Sequence, residues 1–69
     1  MQGRRDTLFS ENFNSIRKEK GMSISDIGKE TGIPITTLYD WANGRTQPKA
    51  DKLKDLADVL GTSADELLA

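Results

Sequence analysis

The sequence predicts an all-α fold, a compact bundle of five short helices, on three observations. Apolar residues recur with helical spacing, Gly, Pro and Asn punctuate them at short intervals, and nothing alternates with period two. The run that competes as a strand, Ile33 to Ile35, is broken by Pro34. A chain of 69 residues is one domain. A core of that size supplies only roughly 3–5 kcal/mol, so every apolar position counts.

Taken in order, Phe9, Phe13 and Ile16 stand at i, i+4 and i+7 on one face of a first helix, with Asp6 or Thr7 as N-cap and Gly21 ending it after Lys20. Residues 1–6, with Arg4 and Arg5, read as a flexible basic arm, and 7–69 as the folded domain. Ser23 followed by Asp26 forms a short-armed capping box. Ile24, Ile27 and Gly28 then supply the inner face of a second helix ending near Gly32. Ile33-Pro34 opens a third helix, about 34–42, because proline has a fixed φ and no donor to lose in a first turn. Leu38 and Trp41 point inward, Asn43-Gly44 is the stop, and Pro48 marks a loop. Leu53, Leu56, Ala57 and Leu60 give a fourth helix closed by Gly61. Ser63 and Glu66 are spaced as a capping box for a last helical turn bearing Leu67 and Leu68. The expected core is Phe9, Phe13, Ile16, Ile27, Ile33, Leu38, Trp41, Leu53, Leu56, Leu60 and Leu67.

Composition removes several function classes. With no cysteine and no histidine, disulfide staples, zinc sites with thiolate or imidazole ligands, and Ser/His or Cys/His nucleophiles are absent by inventory. No pair of carboxylates can be assigned to a cleft in so small a core, so neither an enzyme, nor a cofactor, nor a small-molecule substrate is expected. No apolar run approaches the ~20 residues of a membrane span, and no apolar signal core follows Met1 to Arg5, which points to the cytoplasm.

The formal net charge of −1 is not the basic balance of a strong nucleic-acid binder, but the charges are unevenly spread. In residues 1–20, Arg4, Arg5, Arg17, Lys18 and Lys20 outnumber Asp6, Glu11 and Glu19, whereas from Asp55 onward only acids occur. Such a domain can still offer phosphates one face.

The second and third helices around Gly32 have the spacing of a helix-turn-helix, whose second helix enters the major groove. The stretch GMSISDIGKETGIPITTLYDWANGRTQP followed by KLKDLADVLGTSADELL resembles the Cro/CI-type helix-turn-helix family, with the lambda-repressor-like fold, over about residues 8–68. Gly21-x-Ser23, the small Gly28, Thr31-Gly32-Ile33, Asn43-Gly44-x-x-x-Pro48, and Leu60-Gly61 before Ser63-x-x-Glu66 carry the resemblance together.

The resemblance implies a transcriptional regulator that binds a double-stranded operator, as a homodimer, in bacterial cytoplasm. Its base-contacting positions fall on Pro34, Ile35, Thr36, Thr37, Tyr39 and Asp40, which agrees with Leu38 and Trp41 pointing inward. Its phosphate positions fall on Ser23 and the adjacent amides, Tyr39, Asn43, Arg45, Thr46 and Lys49.

The chain departs from the family in two places. Typical members offer amide or hydroxyl side chains that read bases, whereas this chain has Ile24, Pro34 and Ile35, with Asp40 on the same face. Many members also pair an acid, where this chain has Ala42, with an arginine matching Arg17, which leaves Arg17 without that partner. Two readings follow. The first is a DNA-binding regulator that gains specificity from dimerisation, DNA shape and methyl contacts, with Asp40 accepting from cytosine. The second is an antirepressor or repressor modulator of a phage lysogeny switch, docking on another repressor through Ile24, Pro34, Ile35, Tyr39 and Asp40.

Overall fold

A computed structural model describes residues 5–69, with side chains from Phe9 onward; Arg4 and the side chain of Arg5, both assigned to a basic arm, lie outside it. Five helices follow in order: α1 (Arg5–Glu19), α2 (Ile24–Thr31), α3 (Ile35–Ala42), α4 (Ala50–Leu60) and α5 (Ala64–Leu68). No strand occurs among the described residues. None of their helices is long and apolar enough to cross a membrane.

The helix ends obey the local chemistry. Gly21, Gly32, Gly44 and Gly61 all have φ near +70°, a backbone state that side chains with a Cβ resist, and each sits just past a helix. One boundary differs from expectation: α1 begins at Arg5 and so runs through Asp6 and Thr7, since nothing in Arg5-Asp6 breaks a helix. Pro34 is the N-cap of α3 rather than its first residue.

Helix α1 packs on α5 and α3, α2 packs on α3 and α4, and α4 on α5. Phe9, Phe13, Ile27, Leu38, Leu56, Leu60 and Leu67 are fully buried, and Ile33, Trp41 and Leu53 nearly so. The Phe9 and Phe13 rings stack, with centroids 5.6 Å apart. Ile24 and Ala57 join this core, while Ile16, expected within it, is half-buried at its edge. Ile24 follows from spacing: three residues before Ile27, it lies on the same inner face of an eight-residue helix.

Candidate nucleic-acid interface

Helix α2 is closed by its own sequence. The Ser23 hydroxyl accepts from the Asp26 amide at 3.0 Å, and the Ser23 amide donates to Asp26 Oδ2 at 3.0 Å, completing the expected capping box. Donation to its carboxyl from the Ser23 amide first, and from the Ser23 hydroxyl second, holds Asp26 below its ordinary value of 3.8. These bonds also place a carboxylate at the start of α2. A phosphate therefore reaches Ser23 only by displacing Asp26 from its amide or its hydroxyl.

The turn to α3 is equally local. Gly32 donates to Gly28 O at 2.8 Å, while the Thr31 hydroxyl donates to Ile27 O at 2.8 Å and accepts from the Ile33 amide at 3.2 Å. The two helices approach at Gly28, where a Cβ would lie 3.4 Å from both Ile33 O and Ile35 Cγ1. A larger side chain would push α3 outward.

Helix α3 presents Leu38 and Trp41 to the core. Thr36, Asp40 and Asn43, four and three residues apart, follow on the opposite stripe, and Tyr39 beside it is 52% exposed. Pro34 and Ile35 are exposed at its start, and Thr37 is half-buried. Beyond Ala42, Gly44 at φ 78° reverses the chain, and the Arg45 amide donates to Asp40 O at 2.9 Å. The Arg45 guanidinium thereby folds back to Asp40, with Nη1 3.3 Å from Oδ1, the one ion pair among the described residues. Thr46 is exposed in the loop, and Lys49 is the exposed N-cap of α4.

The structure corrects one site assignment. Ile24, placed in a protein-docking patch, is 5% exposed and packs in the core, so it is unavailable as an anchor. A capping expectation also fails in part. Ser63 accepts from the Glu66 amide, but the Glu66 carboxylate takes the Thr62 hydroxyl instead of returning to Ser63.

Sequence reasoning missed Asn14. Its Nδ2 donates to Ala42 O at 3.0 Å, capping the last turn of α3 from outside, while its Oδ1 accepts from Arg17 Nη2 at 3.0 Å and Nε at 3.3 Å. Arg17 Nη1 also donates to Met22 O at 3.3 Å. Arg17 thus lacks the family's acid but not partners. The spacing of Asn14 and Arg17, three apart on one helix, was a readable signal for their pairing. The distant carbonyl was not.

The rest of the surface helps to orient the molecule. A shallow cleft beside α2 and α4 is lined by Glu30, Thr31, Asp55, Asp58 and Val59, a set that repels phosphates. Arg45 instead stands against α3 at Asp40, and Lys49 is exposed at the start of α4.

Two eight-residue helices joined by a glycine turn, with the second presenting a polar stripe, define a helix-turn-helix protein. Residues 14–67 match the family described as Helix-turn-helix, and the chain belongs to that Cro/CI-type family of DNA-binding regulators. Three relatives are similar over most of the chain. The HTH-type transcriptional regulator YazB of Bacillus subtilis is 35% identical over 60 residues, covering 87% of each protein. The regulator DdrOP3 of Deinococcus deserti is 33% identical over 58 residues, 84% of this chain and 45% of the relative, so the chain spans less than half of that protein. The regulator y4dJ of Sinorhizobium fredii is 33% identical over 61 residues, 88% of this chain and 79% of the relative.

Proposed function

We propose that this protein regulates transcription by laying α3 in the major groove of an operator, as a homodimer on two half-sites, within the cytoplasm. The observation that carries the reading is the two-sidedness of α3: Leu38 and Trp41 anchor it, and Arg45 stands against the outward stripe of Thr36, Asp40 and Asn43. Thr36, Thr37 and Tyr39 supply hydrogen bonds to base edges, and Pro34 and Ile35 pack on thymine methyls. Asn43, Arg45, Thr46 and Lys49, with the Ser23 hydroxyl, hold phosphates and set the register.

The test is a binding selection from a randomised duplex pool at ~150 mM salt, followed by shift assays on the enriched duplex. Enrichment of a defined sequence is expected. Alanine at Arg45 and Lys49 should then weaken binding to that duplex and lower the slope of log affinity against log salt by about 0.9 per lost contact. A wild-type protein that enriches nothing overturns the reading.

One observation favours a second reading, docking on another repressor: Ile35 and Tyr39, 44% and 52% exposed, stand four residues apart on α3. Burial of Ile24 leaves this patch smaller than its sequence suggests. In that case Ile35→Ala and Tyr39→Ala cost the most affinity for the partner, Arg45 and Lys49 are near neutral, and mixing abolishes the partner's own DNA shift.

A further inference from the structure

Arg45 is the one cation between Ile33 and Pro48, and its charge is already engaged. Its partner Asp40, partly exposed, lies on the stripe of α3 opposite the core, one helical turn from Thr36, where the proposed reading places base edges. Both side chains are exposed, 72% for Arg45 and 42% for Asp40, so the pair is a weak one that opens at little cost, less than about fivefold in an equilibrium. The backbone bond from Arg45 N–H to Asp40 O ties the loop to the helix whether the side chains are joined or apart.

We propose that Asp40 and Arg45 form a charge latch that makes this protein select a cytosine at the base pair facing Asp40. This rests on the major-groove reading above. On arbitrary DNA the latch stays closed, because opening it there leaves the Asp40 carboxylate unpaired against base edges that offer it no donor, and the complex makes one phosphate contact fewer per protomer. Where a cytosine faces Asp40, its N4 amino group donates to the carboxylate, and this replaces the bond lost when Arg45 leaves. The freed guanidinium then reaches a phosphate. One acidic residue thus lowers sequence-independent affinity and adds base selectivity. A net charge of −1 with few cations near α3 suits a protein whose discrimination depends on suppressing non-specific contacts.

The experiment compares wild type, Asp40→Asn and Arg45→Gln, each checked for native helicity by circular dichroism. Selections are run from one randomised duplex pool, and salt titrations use the wild-type-selected duplex and a mixed-sequence duplex. The wild type should select a C·G pair at a position that Asp40→Asn no longer holds or shifts toward adenine. On mixed-sequence DNA, Asp40→Asn should bind more tightly with a slope steeper by about 0.9 per protomer, because Arg45 is released. On the selected duplex its slope should be unchanged and its affinity about tenfold lower. Arg45→Gln should flatten the slope on the selected duplex alone. Equal tightening of both duplexes by Asp40→Asn, or equal flattening by Arg45→Gln, would reduce the pair to ordinary charge effects and overturn the latch. Selection of one sequence by wild type and Asp40→Asn, with the same slopes, overturns the latch and leaves DNA reading intact. A wild type that selects nothing overturns both.

Discussion

Helices α2 and α3 have the same length and lie against each other, yet they are stabilised in opposite ways. Helix α2 carries its own instructions: a reciprocal cap between Ser23 and Asp26, an acid in its first turn, Lys29 in its last, and a left-handed Gly32 after it. Helix α3 shares only the last of these, a left-handed Gly44 beyond its C-terminus. Pro34 makes no side-chain cap, there is no acid in the first turn and no base in the last, and the Ala42 carbonyl is satisfied by Asn14 of another helix. The scaffolding helix is specified locally, and the helix that faces outward is held by tertiary contacts. Its exposed residues are thereby released from capping duty.

The comparison can be broken most severely at Trp41. Trp41→Ala removes the main anchor of α3 from a small core and should cost ~3–5 kcal/mol, enough to unfold the domain. Because the chain has a single tryptophan, denaturation must be followed by far-ultraviolet circular dichroism. An unchanged transition would show that α3 does not depend on its buried face.

Next comes the external tether. Asn14→Ala strands the Ala42 carbonyl and removes an acceptor from Arg17, at a cost of about 1–3 kcal/mol in urea unfolding. Were α3 self-sufficient, no loss would be measured. At the start of α2, Ser23→Ala should cost about 1 kcal/mol through the lost acceptor for the Asp26 amide, which calorimetry can resolve.

Asp26 gives the same cap a pH signature. Its folded value lies below the ordinary 3.8, so its contribution is present above about pH 4 and is lost as pH falls through the depressed folded value. Asp26→Asn should therefore be less stable than wild type at pH 7, and the two melting curves should converge in acid. A gap that persists at low pH would assign the effect to something other than the charge. Smallest of all, Pro34→Ser adds a cap to α3 but releases a restrained backbone. The two effects are each within about 1 kcal/mol and of opposite sign, so the melting temperature should barely move.

The contrast also explains what was legible in the sequence. Ser23, Asp26, Gly32 and Gly61 act on neighbours in the chain, so spacing revealed them together with the leucine pattern of α4. The two-sided placing of α3 followed from Leu38 and Trp41 alone. Asn14 escaped because its acceptor lies 28 residues away, a separation no local pattern encodes. Ile24 was assigned both to the inner face of α2 and to an exposed patch; its spacing from Ile27 decides for the core. Asp40 reads from the sequence as a base or partner contact with no ion-pair partner of its own. The reversal at Gly44 that brings Arg45 to it is a loop geometry that residue types alone do not specify.

The outward stripe of α3 has a consequence for descent. Thr36 and Asp40 lie outside the core that holds the domain together, and substitutions at such surface positions typically change stability by less than about 0.5 kcal/mol. A lineage can therefore rewrite them one at a time without passing through an unfolded ancestor. If α3 reads the operator as proposed, target preference is free to drift quickly on a scaffold that scarcely changes, so paralogues with nearly superimposable backbones need not share a single genomic address.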